Sequence, residues 1–301
     1  MSAPTIPPLA PGQVVVDVPT LQAWLQAGHA LRLIDARCAP ATGGGDRAAG
    51  RKAWQAGHLP GALHADLDLD LAASAASAPG QGRHPLPGQE AFNAALGRWA
   101  IAPDTTVVVY DAADGSMAAA RLWWLLRLLG HTRVLVLDGG VAEWTAAGLA
   151  LHTDTPVVAP LPPYPGRFDP SQVVNADQVL ARLGQAPGWL LDARAPARFA
   201  GEQEPVDPVA GHVPGALNLP YAALVEQGRL LPPAQIRARV QQVLGHANVQ
   251  DTVLMCGSGV TACHLLLALE SAGLHGARVY AGSWSGWIAD SLRPVAVGAT
   301  G

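Results

Sequence analysis

Charge is scarce in this chain. Of 301 residues only 14% are Asp, Glu, Lys or Arg, with 19 basic against 23 acidic side chains and a formal net charge of -4. No Lys/Arg-rich cluster stands out, so the phosphate contacts that dominate nucleic-acid binding lack a donor surface and no nucleic-acid partner is expected. Cysteine is also scarce. The three present, Cys38, Cys256 and Cys263, form neither a disulfide framework nor a CxxC pair, so any cysteine chemistry rests on a single thiol and no metal is expected. Long apolar runs are missing as well: each meets a charge, a Pro or a Gly well before about 18 residues, which argues against a membrane-spanning helix and a membrane partner. The N-terminal MSAPTIPPLAPGQ has no basic residue ahead of an apolar stretch. It does not read as a secretory signal, and a cytoplasmic protein is expected.

Apolar residues, in contrast, make up 50% of the chain, enough for two domains with cores of their own. The same unit occurs twice. LIDAR at Leu33 to Arg37 returns as LLDAR at Leu190 to Arg194, and GHLPGA at Gly57 to Ala62 returns as GHVPGA at Gly211 to Ala216. TVVVYD, ending at Asp111, matches TVLMCG, ending at Gly257; LDGGVAEW, ending at Trp144, matches YAGSWSGW, ending at Trp287. Four matched segments in one order indicate an internal duplication. Between the copies lies HTDTPVVAPLPPYPG, whose prolines favour an extended connector. The expected layout is a first domain over 1–150, a Pro-rich linker over 151–166 and a second domain over 167–301. Within each half, short β-branched runs alternate with helix-like stretches. Asn175 is the expected N-cap of ADQVLARL, and Gly130 and Gly273 are the expected ends of the helices before them. The pattern predicts an α/β fold: tandem duplicated domains, each a mostly parallel sheet flanked by helices. Trp144 and Trp287, at equivalent points, read as core.

Chemistry is expected where the halves differ. In the second, the strand ending at Met255 runs into Cys256-Gly257-Ser258-Gly259-Val260-Thr261 and then into the apolar stretch CHLLLALESAG. A thiol between a strand and a helix start faces backbone N–H groups and the positive end of a helix dipole, both of which favour a thiolate. The first half has Asp111 at this point, followed by the longer loop AADGSMAA. A carboxylate cannot replace a thiolate in sulfur chemistry, so this half is expected to be catalytically inactive. Cys263 reads as a small buried apolar residue.

In the paired DAR and GH-PGA segments, VVVYD, the LDGG-W and GSW-GW ends, DARAPARF and CGSGVTAC, the chain resembles the two-domain sulfurtransferases of the rhodanese superfamily. It most resembles their 3-mercaptopyruvate sulfurtransferase branch, over nearly its whole length. The resemblance implies that Cys256 carries sulfur as a persulfide and that no cofactor is needed. It also implies a proton relay in which Ser258 works with a His and an Asp from the first domain; His58 of GHLPGA and Asp46 of GGGDRAAGRK are the matching positions. His58 also has a twin, His212, and the alternative for both is to tie down a turn. Arg194 and Arg198 of DARAPARF match the arginines that hold a substrate carboxylate, and guanidinium forks suit carboxylate oxygens. Arg37 occupies the place of Arg194 in the first half, which favours Arg198 as the ligand. The N–H groups around Gly257, Gly259, Val260 and Thr261 are expected to bind the anionic sulfur. HADLDLD at His64 to Asp70 and GRHPLPG at Gly82 to Gly88 resemble segments that approach the cleft from the opposite domain. The alternating Asp66, Asp68 and Asp70 also fit a half-buried extended segment, which is the reading adopted for them.

Thiosulfate-using relatives carry basic residues where this loop has Gly257 and Ser258. A neutral loop suits a donor whose charge lies elsewhere, such as 3-mercaptopyruvate, with pyruvate as product. The expected acceptors are a thiol, cyanide or a thioredoxin-like protein. The alternatives are a thiosulfate:cyanide sulfurtransferase using the same cysteine, and a persulfide carrier without a small-molecule donor. A cysteine phosphatase is disfavoured because Thr261 stands where such loops carry an Arg.

Overall fold

The computed structural model describes residues 4–10, 12–38, 46 and 48–299. Two five-stranded sheets account for the duplication. In the first half the strands are β1 (Val15–Val16), β2 (Leu31–Asp35), β3 (Leu63–His64), β4 (Thr106–Tyr110) and β5 (Val134–Leu137), in the order β1-β5-β4-β2-β3. In the second they are β6 (Val173–Val174), β7 (Leu190–Asp192), β8 (Leu217–Asn218), β11 (Val253–Met255) and β12 (Arg278–Tyr280), in the order β6-β12-β11-β7-β8. Every pairing within both sheets is parallel. The central strands are buried along their length, as expected for parallel strands covered on both faces. A hairpin, β9 (Val225–Glu226) with β10 (Arg229–Leu230), is an addition to the second half.

Helices α1 (Val18–Gln26), α2 (Ala49–Ala56), α3 (Gln89–Arg98), α4 (Ala118–Leu128) and α5 (Gly140–Ala146) belong to the first half. The second has α6 (Ala176–Leu180), α7 (Pro196–Phe199), α8 (Pro233–Leu244), α9 (Thr261–Ser271) and α10 (Ser283–Trp287). Asn175 starts α6 with a full capping box, its side chain on the Gln178 N–H and the Gln178 side chain on its own N–H. Gly130 and Gly273 follow the ends of α4 and α9 with left-handed backbones.

The two halves share a core. Helices α4 and α9 pack together and contribute to one buried apolar cluster, in which Trp123, Trp124, Leu265 and Leu267 are at most 1% exposed. Each such side chain contributes about 1.5–3 kcal/mol by leaving water. Polar ties reinforce the seam: His264 Nε2 of α9 lies 3.0 Å from the Asp114 carbonyl oxygen, and Asp138 accepts from Arg229 Nε at 3.1 Å and the Leu230 N–H at 3.0 Å. The Pro-rich stretch after α5 docks on α3, with the N–H groups of Leu161 and Tyr164 donating to Gly97 and Asn93 carbonyls. Trp144 and Trp287 are both buried. The ends of β11 and α4 thus converge on one seam, where the Cys256 loop lies.

Candidate active site

Cys256 follows β11 directly and is 1% exposed. The chain turns sharply behind it. Gly259 adopts a φ of +79°, where a side chain would run into the Ala281 carbonyl, and its N–H donates to Cys256 Sγ at 3.1 Å. The first residue of α9 comes two positions later, so the positive end of an eleven-residue helix lies at the sulfur's loop. Val260 is buried at the helix cap, and Thr261 is the half-buried first helical residue.

The start of α10 clamps this loop from behind. Trp284 and Ser285 donate their N–H groups to the carbonyls of Cys256 and Gly257, both at 2.9 Å. Ser283 accepts the Cys256 N–H at 3.0 Å, donates to the Tyr280 carbonyl at 2.9 Å and holds its hydroxyl 4.0 Å from Sγ. Its φ of +50° is rare for a residue with a side chain. Such strain persists when the side chain is needed where it stands.

Two segments of the first half cover the other side. His84 Nδ1 lies 2.9 Å from Ser258 Oγ, and His84 Nε2 lies 3.5 Å from Asp68 Oδ1. With a proton on Nε2 facing the carboxylate, Nδ1 accepts from the Ser258 hydroxyl; the Asp selects the tautomer. Asp68 can face inward because HADLDLD ends in a turn. Asp66 Oδ1 accepts the N–H groups of Asp68 at 2.9 Å and Leu69 at 3.1 Å, correcting the extended reading of this segment.

The His and Asp assigned to the relay from the sequence are elsewhere. His58 is buried, stacks on Trp54 at 4.8 Å and bonds the Trp54 carbonyl through Nδ1 at 2.8 Å. Its twin His212 does the same with Phe199, at 3.9 Å and 2.8 Å. Both are turn ties, and the ring that meets Ser258 is His84. Asp46 is exposed and pairs with Lys52 at 2.7 Å. It takes no part in the cluster, because the start of α2 occupies its carboxylate through the Ala48 N–H as well.

The two DARAPARF arginines also separate. Arg194 is buried, grips Asp192 with Nε and Nη2 at 2.9 and 2.7 Å, donates to the Gly211 carbonyl at 2.8 Å and stacks on Trp284 at 4.7 Å. Arg37 grips Asp35 and the Gly57 carbonyl in the same way. Arg194 therefore spends these donors inside its own half, as Arg37 does. Arg198 remains partly open, with its side chain 21% exposed and Nη2 on Glu204 at 2.6 Å and Asp207 at 3.1 Å. It has a partner from the other half. Arg83 ion-pairs with Asp207, and a Cβ on Gly257 would stand 3.2 Å from Arg83 Nη2 and 3.5 Å from Arg198 Nη1. Two guanidiniums thus flank the loop beside the thiol. Burial pushes the Asp207 carboxyl above the usual range despite both arginines. In Glu204 burial also pushes upward, but the Arg198 hydrogen bond and two backbone N–H groups leave the carboxyl below its ordinary value.

His84, Asp68, Arg83 and Ser283 were not assigned roles from the sequence. GRHPLP, which holds Arg83 and His84, recurs as GRLLPP at Gly228 to Pro233, so Arg83 has a twin in Arg229. Leu230, however, stands in place of His84 and Ala222 in place of Asp68; those two differences are the signal that marks His84 and Asp68. Cys263 is fully buried, donates from Sγ to the Gly259 carbonyl at 3.1 Å and is pushed by burial to a pKa of about 12. Burial raises Cys38 to about 12 as well. Among the described residues no group of three or more His, Cys, Asp or Glu side chains could hold a metal, and no helix is long and apolar enough to cross a membrane.

A duplicated parallel α/β fold with one thiol cradled at a strand-to-helix loop defines a class of covalent-transfer proteins. The family profile described as "Rhodanese-like domain" matches residues 17–147 and 175–290, and the chain belongs to that family. It is 47% identical to the "Probable 3-mercaptopyruvate sulfurtransferase" of Pseudomonas aeruginosa over 84% of this chain and 89% of that protein. It is 37% identical to the "Putative thiosulfate sulfurtransferase SseB" of Mycobacterium tuberculosis over 96% of this chain and 99% of that one. Among solved structures, the 3-mercaptopyruvate sulfurtransferase from Leishmania major superposes with a TM-score of 0.80 at 30% identity, covering 92% of this chain and 75% of its own.

Proposed function

We propose that the protein is a sulfurtransferase that moves the sulfur of 3-mercaptopyruvate through a Cys256 persulfide to an acceptor and releases pyruvate. The observation that carries this donor is the Ser258–His84–Asp68 chain beside the thiol. When the Cys256 thiolate attacks the substrate sulfur, an S–S bond forms and the C–S bond breaks, with its electron pair passing to carbon as the pyruvate enolate. That carbon needs a proton and the new persulfide must shed the one its sulfur brought; a hydroxyl backed by a histidine moves it between them. Release of sulfite from thiosulfate has no such requirement. Arg198 and Arg83 hold the substrate carboxylate over Gly257, and the Gly259 N–H with the Ser283 hydroxyl steadies the anionic persulfide.

In the second half-reaction the acceptor attacks the outer sulfur, the S–S bond breaks and its pair returns to Cys256 as thiolate. A small thiol or cyanide serves in the test tube, and a thioredoxin-like dithiol in the cytoplasm. Thiosulfate remains a second reading, because two guanidiniums beside the thiol also suit a sulfonate-like dianion.

The test is intact-protein mass after brief exposure to 3-mercaptopyruvate or thiosulfate, with pyruvate assayed in parallel and Cys256→Ser as control. A gain of one sulfur with pyruvate release, absent in the variant, supports the proposal. Charging by thiosulfate alone transfers it to the second reading. Charging by neither favours a carrier loaded by another protein.

A further inference from the structure

The first half holds a cation that neither the fold ties nor the substrate clamp uses. Arg121 of α4 has no exposed surface. Among the described residues no carboxylate lies within ion-pair distance of it, and its donors end on neutral carbonyls. Nε reaches Leu71 at 3.4 Å, Nη1 reaches Gly259 at 3.1 Å, and Nη2 reaches His84 at 3.1 Å and Pro85 at 3.2 Å. The guanidinium lies over the Trp124 ring at 5.0 Å.

The position of those carbonyls matters more than their number. Leu71 closes the turn that presents Asp68, His84 carries the ring on Ser258, and Gly259 gives its N–H to Cys256 Sγ. One side chain from the half without a reactive thiol therefore fastens the three segments that deliver the carboxylate, the imidazole and the sulfur. A buried cation without an anion is unfavourable. Burial drives the Arg121 guanidinium below its ordinary pKa, and the groups that draw it back up are Cys263 and Cys256. The other charged and titratable groups around the loop are Arg83 and Arg198, both held by Asp207, with Glu204 on Arg198, His84 with Asp68, and Cys263 on α9. Of these cations Arg121 alone has no carboxylate partner, and the Cys256 sulfur is the neighbour whose chemistry makes it an anion.

We propose that Arg121 is a positioning residue for sulfur transfer: its fork locks the His84 and Asp68 segments to the Cys256 loop, and its charge is the buried counter-cation of the anionic sulfur. It touches no substrate. The inference rests on the sulfurtransferase reading for its catalytic part and, for its electrostatic part, on the Arg121 bond to the carbonyl of Gly259, the residue whose N–H meets the sulfur.

The experiment uses the full chain with Arg121→Met and Arg121→Lys. Three quantities are read: pyruvate release resolved into kcat and KM, the pH dependence of Cys256 alkylation by iodoacetamide followed on its peptide without any donor, and the thermal midpoint. The expected result for Arg121→Met is a kcat lower by about 100-fold, a KM within about twofold of wild type, and an alkylation profile displaced about one pH unit upward. Arg121→Lys, which keeps the charge and loses the fork, restores the alkylation profile but leaves kcat about tenfold low. An Arg121→Met protein with a lower thermal midpoint but unchanged kcat and alkylation profile overturns the proposal. So does a raised KM at constant kcat, which makes Arg121 a substrate ligand. If Arg121→Met does not fold, Arg121→Lys decides, and wild-type kcat in it refutes the lock. If no donor charges the wild-type protein, the sulfurtransferase reading fails, while the alkylation profiles still support or refute the counter-cation.

Discussion

The loops at the ends of β4 and β11 are built to one plan and filled differently. Asp111 and Ala112 offer their carbonyls to the N–H groups of Val141 and Ala142, both at 3.1 Å, as Cys256 and Gly257 do to Trp284 and Ser285. Gly140 and Ser283 occupy equivalent places with φ of +53° and +50°. In the first half Asp111 gathers the N–H groups of Ala113, Gly115 and Met117 onto its carboxylate at 3.2, 3.0 and 3.2 Å. In the second the Gly259 N–H meets a sulfur instead. Both loops gather backbone N–H groups around one side chain; in the first it is a carboxylate, in the second the thiol to which the proposed function assigns a second sulfur. The difference at position 283 follows. Where glycine satisfies the backbone for free, the second half accepts a strained serine and gains a hydroxyl near the thiol.

The largest effect that can break this comparison is removal of the sulfur itself. Cys256→Ser is expected to lower pyruvate release by at least about 10³-fold with an unchanged thermal midpoint. Adding Asp111→Cys in that background is expected to restore nothing, because the histidine and arginines that face the second loop are committed there. Pyruvate release by the double variant would sink the view that the first loop lacks more than a thiol. Next in size, His84→Ala is expected to reduce kcat by about 10²-fold. His58→Ala should leave kcat unchanged and cost about 1–3 kcal/mol of stability through its lost buried hydrogen bond. Equal kcat losses in the two would mean that Ser258 is not served by the nearer ring.

The duplication, the sheet class and the reactive loop were legible because each rests on local signals: repeated strings, β-branched runs bounded by turns, a cysteine between a strand and a helix. The partners of Ser258 were not. Chemistry placed where the halves differ falls on Cys256 over Asp111, but His58 has a twin in His212 and fails that same criterion. His84 and Asp68 pass it, since the matching positions of the second half hold Leu230 and Ala222. What hid them is distance along the chain. Ser258 and His84 meet only because α4 packs on α9, and packing between helices of different halves leaves no mark in local spacing. The Asp66, Asp68 and Asp70 alternation fits a strand, and the turn that replaces it depends on the Asp66 side chain capping its own backbone.

Arg194 and Arg198 sharpen the comparison further, because one repeats the first half and the other does not. Arg198→Ala is expected to raise KM for 3-mercaptopyruvate by about tenfold, the loss of one charge-assisted clamp, with a smaller stability loss than Arg194→Ala because Glu204 keeps the Val206 and Asp207 N–H groups and Asp207 keeps Arg83. Arg194→Ala strands the buried Asp192 carboxylate and should cost about 3–5 kcal/mol of stability, as Arg37→Ala should in the first half. Urea unfolding of the three variants separates these roles. Matching stability losses in Arg198→Ala and Arg194→Ala would remove the distinction between clamp and tie.

The smallest expected effect concerns the carboxylate that fills the first loop. Burial, and then the neighbouring Asp114, outweigh the three N–H donors and raise the Asp111 pKa from 3.8 to about 6. Between about pH 4 and 6 the folded carboxyl keeps a proton that the unfolded chain has released. Stability from this group is therefore present below the unfolded value and is lost as pH rises through the folded one, by about 2–3 kcal/mol in all. Asp111→Asn has no proton to lose, so its urea midpoint should show a shallower decline than wild type over that window. Identical slopes would mean that the carboxylate sits in its cradle without an electrostatic penalty. The first loop would then be as well adapted to a fixed anion as the second is to a transferable one.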